Sequence, residues 1–259
     1  MLLIGNGRLV TRDPENRFYS DGAVVTENNV IKNVGNTKEM KEMYPDAEFV
    51  DAGGGVIMPA FINMHEHIYS AMARGLSING YNPHGLLDIL DGQWWKIDRN
   101  LTNETTRQSA RVTYLDSIKN GVTTVFDHHA SFGEIHDSLF AIEDAAKEFG
   151  VRTCLCYEIS DRDGMEKSHE SVMENARWIR HALDDDSDMI AGMMGMHAQF
   201  TISDETFELA AENKPDGVGY HIHVAEGIED LHDCLKKHGK RIVDRLMDFN
   251  ILGDKTLLA

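Results

Sequence analysis

The chain has 259 residues, 42% of them hydrophobic, enough for one large core or a core plus a small appendage. Its formal net charge of −18 argues against nucleic acid or an anionic membrane as a partner, and no segment offers the roughly 20 apolar residues a membrane helix needs. Three cysteines (Cys154, Cys156 and Cys234) and an N-terminus without a basic leader point to the reducing cytoplasm.

Residues 1–58 read as a small all-β unit. Leu2-Leu3-Ile4 and Arg8-Leu9-Val10 flank Gly5-Asn6-Gly7, and Gly22–Val25 and Val30–Gly35 flank Glu27-Asn28-Asn29. Both spacings predict hairpins. The apolar run Gly55–Met64 then reads as a buried strand that ends in His65-Glu66-His67.

From residue 59 to 259 strands alternate with helices. Helices are predicted over 103–120 (Thr102 as N-cap, Gly121 past the end), 134–149, 167–183, after Ser203, and over 228–249. Strands are predicted over 122–127, 151–157, 190–196, 217–224 and 256–259. Asp184–Asp188 reads as a solvated loop. The alternation implies a parallel sheet, either an eight-stranded barrel or a doubly wound sheet. No glycine-rich phosphate or dinucleotide loop follows a strand.

Histidines favour the barrel. Of 13, seven fall at or near predicted strand C-termini: His65, His67, His128, His129, His197, His221 and His223. Barrel active sites lie there, whereas core positions lie mid-strand. Residues two apart on a strand share a face, so His65 and His67 project together as half of a divalent-metal site; a pair of surface histidines is the plainer reading. In His221–Glu226, His223 is the better ligand, and His221 reads as a hydrogen-bonded strand-interior residue. Glu226 suits proton transfer, or a helix N-terminal acid. His197 could bind substrate or a second metal. Asp127 and His129 share a face and could reach the mouth or tie down a loop. Arg74 could meet a substrate edge or be a surface arginine. Trp94 and Trp95 read as packing.

These motifs resemble the metal-dependent amidohydrolase superfamily, in its aminohydrolase and chlorohydrolase branch. The matching stretches are Pro59–His67, Gly121–Thr124, His197 with Thr201 and Ser203, and His221–Glu226. The wording of Gly121–Ser131 is most similar to SsnA-type aminohydrolases. The resemblance implies a (β/α)8 TIM barrel of the amidohydrolase type with a small β-sandwich. It implies one divalent ion, zinc ahead of iron, held by His65, His67 and His223. Glu226 would be the catalytic proton shuttle, and His197, with His129 and Arg74 as further candidates, would contact substrate. Two-metal branches carry a lysine after strand four; Gly195-Met196-His197 has none, which favours one ion.

The implied activity is deamination of a small nitrogen heterocycle, such as a purine or pyrimidine, by metal-bound hydroxide. A triazine-type chlorohydrolase or alkylamine hydrolase is the alternative. The family also places a histidine after strand six and an aspartate after strand eight. This chain ends in its sixth strand without either. About five and a half βα units are therefore expected in 59–259 and only half of the sandwich in 1–58, as in a fragment of a longer protein. A non-catalytic chain needing a partner polypeptide stays open, as does a homo-oligomer.

Overall fold

The computed structural model describes residues 1–259. The chain divides into two compact units, Met1–Ala60 and Phe61–Ala259.

In the first unit, β1 (Leu2–Val10), β2 (Phe18–Glu27) and β3 (Val30–Asn36) are followed by helix α1 (Thr37–Met43), β4 (Glu48–Asp51) and β5 (Val56–Ile57). The sheet order is β3-β2-β1-β4, with β5 also on β1. The second expected hairpin forms: β2 and β3 pair antiparallel around Asn28, whose φ is 56°. The first does not. Gly5-Asn6-Gly7 stays inside one strand that pairs with β2 from Leu2 to Val10, with register shifts at Gly7. A Cβ at Gly7 would sit 2.7 Å from Ile57 Cδ1, so the glycine serves close strand approach rather than a turn. Leu3, Ala23, Val25 and Met40 form this unit's core.

The run before His65 is not one buried strand. It splits at Pro59 into β5, which belongs to the first unit, and β6 (Phe61–Glu66), which opens the second. β6 is an edge strand bonded only to the strand after it, so Phe61, Ile62 and Met64 remain 49–57% exposed.

A 3-10 turn (Ile68–Ala73), short helices α2 (Leu86–Ile89) and α3 (Trp95–Asp98), and a π-helical turn (Leu90–Trp94) between them follow β6. Then come α4 (Asn103–Lys119), β7 (Val122–His129), α5 (Ser138–Phe149), β8 (Arg152–Tyr157), α6 (Met165–Leu183) and β9 (Ile190–Gly192). Strand β10 (Met194–Ala198), α7 (Asp204–Asn213), β11 (Tyr220–His223), α8 (Ile228–His238), α9 (Ile242–Asp248) and β12 (Leu257–Leu258) complete the chain. Thr102 caps α4 in a reciprocal capping box with Thr105, and Ser203 caps α7.

Three expected elements change. The strand at 190–196 breaks at Met193 into β9, which pairs with β8, and β10, which pairs with β11. The helix at 228–249 breaks at Gly239, whose φ of 65° ends α8. The helix expected from residue 134 begins only at Ser138, because Asp137 takes φ 66°.

All strand pairs here are parallel. The sheets β6-β7-β8-β9 and β10-β11-β12 are linked by a bridge between Ile159 and Met196. Spatial order follows chain order with no switch point, which is barrel winding rather than a doubly wound sheet. Apolar clusters around Tyr114, Leu155 and Trp178 and around Met194, Phe207 and Ile222 join strands to helices. No helix is long and apolar enough to cross a membrane.

Candidate metal centre and active-site cavity

Parallel strands present their C-terminal ends together, and the histidines gather there. Two irregularities in pairing aim them. Between β6 and β7 the register shifts between Asn63 and Glu66, around His65. Between β10 and β11 it shifts between Met196 and Ala198, so His197 is the extra residue, and its N–H donates to Ile159 O instead. Bulges of this kind re-aim a side chain at a sheet rim.

His65, His67 and His223 each offer a ring nitrogen to one point, with these nitrogens within 4.8 Å of one another. His223 Nε2 lies 3.3 Å from His65 Nε2 and 3.2 Å from His67 Nε2. Four nitrogens about 2.0–2.1 Å from a tetrahedral zinc would be about 3.3 Å apart, so the spacing suits a shared ion. The far ring nitrogens of His67 and His65 are engaged, while His223 Nδ1 is buried without a hydrogen-bond partner. His67 Nδ1–H donates to His128 O at 2.8 Å, which fixes the tautomer and leaves the Nε2 lone pair free. His65 Nδ1 meets His221 Nε2 at 2.8 Å, giving His221 the hydrogen-bonded interior place expected of it.

Burial, with the neighbouring His128, pushes His65 and His67 down to about 4 and His223 well below its ordinary value. All three are neutral at pH 7, the form a metal requires. The donor set, spacing and protonation state therefore fit a divalent cation.

Asp127 holds the element behind His67. It is fully buried, and its Oδ1 accepts the Ile68 N–H at 2.7 Å, pinning the turn that follows the ligand.

A cavity of about 140 Å³ opens beside the three imidazoles, lined by Tyr69, Trp94, Trp95, Glu158, His197 and Glu226 among others. Glu226 stands at its solvent side. Partial burial, then the negative charges of Glu158 and Asp230, push its carboxyl above the usual range. Its loop is braced: Ala225, at φ 59°, donates its N–H to Asp230 Oδ2 at 3.0 Å. Asp230 Oδ1 accepts from Gln199 Nε2, and Gln199 is gripped by the buried Arg245. One buried network thus ties the Glu226 loop to the turn after His197. His197 Nδ1 bonds Thr201 Oγ1 at 2.8 Å, and its other nitrogen faces Glu158 Oε1 at 3.9 Å.

Of the residues singled out from sequence, His67, His197, His223 and Glu226 line the cavity, and His65 joins them as a ligand candidate. His129 is wholly buried behind the cavity, 4.0 Å from Asp127. Arg74 pairs with Asp116 on the surface at 2.8 Å, away from the histidines. Trp94 and Trp95 do more than pack, since both face the cavity. Sequence reasoning missed Glu158, although it directly follows Tyr157 at the end of β8. The strand-end rule used for histidines would have found it.

The amidohydrolase family profile matches residues 56–259. The chain belongs to the amidohydrolase family. It is 28% identical over its whole length to a 5'-deoxyadenosine deaminase of Methanosarcina barkeri, covering 56% of that protein. It is 25% identical over 97% of its length to a 5-methylthioadenosine/S-adenosylhomocysteine deaminase of Bacillus cytotoxicus, again covering 56% of the relative. Among solved structures, atrazine chlorohydrolase from Arthrobacter aurescens TC1 complexed with zinc superposes with a TM-score of 0.81 at 22% identity, over 100% of this chain and 60% of that one. E. coli guanine deaminase gives 0.79 at 19%, over 100% and 62%. The chain thus spans little more than half the length of the relatives it matches.

Proposed function

We propose that this chain carries the metal ligands and the proton-transfer carboxylate of a metal-dependent deaminase that hydrolyses a C–N bond of a purine-like heterocycle. The supporting observation is that three neutral imidazoles meet at one point, two of them lining the same cavity as a carboxylate of raised pKa. His65, His67 and His223 hold one divalent ion, zinc in first place. When bound, such an ion supplies Lewis acidity and a water acidified toward neutral pH.

Glu226 takes a proton from the attacking water and delivers it to the ring nitrogen. The new C–O bond forms, the remaining hydroxyl proton passes to the amino group, the C–N bond breaks as the carbonyl forms, and ammonia leaves. A carboxyl of raised pKa suits both halves of that transfer. His197, held by Thr201, faces the ring, and Trp94 and Trp95 wall the cavity against bulk water. Residues 61–259 are read as an arc of the hydrolase barrel and 1–60 as part of its accompanying β unit.

The relatives called deaminases of adenosine derivatives make ammonia release from such nucleosides, and from guanine, the first screen for the zinc-loaded protein. Glu226→Gln should lower turnover about a hundredfold or more while leaving bound zinc unchanged. Turnover unaffected by that change would refute the assignment. The likeness to atrazine chlorohydrolase keeps a second reading, with chloride as leaving group; chloride release from a chlorotriazine without ammonia release would select it.

A further inference from the structure

Glu158 is the cavity-lining carboxylate that the reaction above leaves unused. It is 3% exposed, and its backbone N–H is fixed by His129 O at 2.7 Å. Its side chain faces two imidazoles and a guanidinium but has no close partner. Oε2 is 3.7 Å from His128 Nδ1, and Oε1 is 3.9 Å from His197 Nε2 and 4.0 Å from an Arg162 nitrogen. All three separations exceed hydrogen-bond length. Arg162 cannot close the gap, because its guanidinium is committed to both oxygens of Asp98 and lies 3.8 Å over the Phe132 ring. A buried carboxylate without hydrogen bonds is costly. It accepts only, so what satisfies it is a hydrogen-bond donor or a cation, and Glu158 does lie with His128 and His223 in a second group able to hold one.

We propose that Glu158 anchors the substrate by accepting hydrogen bonds from ring N–H groups on the edge away from the bond that breaks. The inference rests on the deaminase reading of this cavity. It narrows the substrate class to heterocycles with at least one free ring N–H on that edge, which among the first-screen compounds favours guanine over N9-substituted adenosine derivatives, whose rings carry no N–H. It also separates two tasks: Glu226 moves protons and Glu158 holds the ring.

The probes are guanine, adenine, cytosine and their ring-N-methyl derivatives, titrated into the zinc-loaded full chain with tryptophan fluorescence as readout. Zinc content is measured in parallel. A parent base should bind, and both Glu158→Gln and methylation of one ring nitrogen should weaken it by about ten- to a hundredfold. In Glu158→Gln the methylation penalty should vanish. The methyl derivatives test the wild-type protein directly, so the result does not hang on the variant's folding. Binding unchanged in the variant overturns the anchor and leaves the deaminase reading standing. Weakening without any methyl dependence makes Glu158 a structural support, and loss of zinc makes it a ligand with His128 and His223; either overturns the anchor. Failure of every base to bind the zinc-loaded wild type overturns the heterocycle reading, and the anchor with it.

Discussion

The roles of His67 and His221 follow from what the second ring nitrogen does. His67 gives Nδ1–H to a carbonyl and keeps Nε2 for a ligand. His221 spends its nitrogens on His65 and on Cys156 Sγ, 3.6 Å away. Period-two spacing made the His65/His67 pair legible in the sequence, because it needs only a strand. Arg74 and His129 were not separable from site residues by spacing. One found Asp116, 42 positions on, and the other a sealed place against the Tyr69 and Tyr157 rings, and neither contact is local. The depressed pKa values carry a pH consequence for the metal-free protein. His65 and His67 titrate near 6.5 when unfolded and near 4 when folded. The unfolded chain therefore binds more protons between those values, and stability falls as pH drops from about 6.5 to about 4. Urea midpoints at pH 7.5, 5.5 and 4.5 should decrease in that order; a midpoint that rises on acidification would contradict the burial of neutral imidazoles.

Elements were legible where local chemistry fixes both ends. Thr102 and Gly121 bracket α4 as read from the sequence, and the structure adds a reciprocal bond between Thr105 and the cap backbone that sequence reasoning did not include. Thr102→Ala should cost about 1 kcal/mol, read as a lower denaturant midpoint with an unchanged slope. Boundaries set by tertiary pairing were not legible: nothing local at Met193 says that β9 will follow β8 while β10 follows β11. Nor does the β11–α8 segment announce that Ala225 will sit at positive φ: Asp230, in the first turn of α8, accepts its N–H, and Gln199, from the turn after β10, holds Asp230 in place. Asp230→Ala should leave the Ala225 N–H unpaired and the Gln199 Nε2 with only the residue-230 carbonyl, and cost about 1–3 kcal/mol. Bound zinc should stay the same, because no ligand is touched; loss of metal in that variant would show that the loop and the ligands form one unit.

At the scale of the Phe61–Ala259 unit, the βα alternation was readable because Gly121 and Gly150 end α4 and α5, although the stop at Gly239 was read through. The exposure of β6 was not, because an apolar run looks the same on an edge as in a centre. β6 and β12 each pair on one side only, and Phe61, Ile62, Met64 and Leu258 stand exposed. Unpaired apolar edges recruit other strands. Sedimentation of this chain should therefore show concentration-dependent self-association that Ile62→Lys reduces, whereas a strictly monomeric wild type would contradict it. A cation that binds only the folded unit also stabilises it, by about 2.7 kcal/mol at a hundred times its Kd, so zinc should raise Tm and a chelator reverse the rise.

The central claim is that three imidazoles from two strand ends make one metal site. Zinc per chain after exhaustive dialysis, measured for the wild type and for the combined His65→Ala, His67→Ala and His223→Ala variant, tests it most directly. The expected result is close to one zinc in the wild type and none in the variant. A metal-free wild type, or a variant that keeps its zinc, would contradict the site and the chemistry built on it.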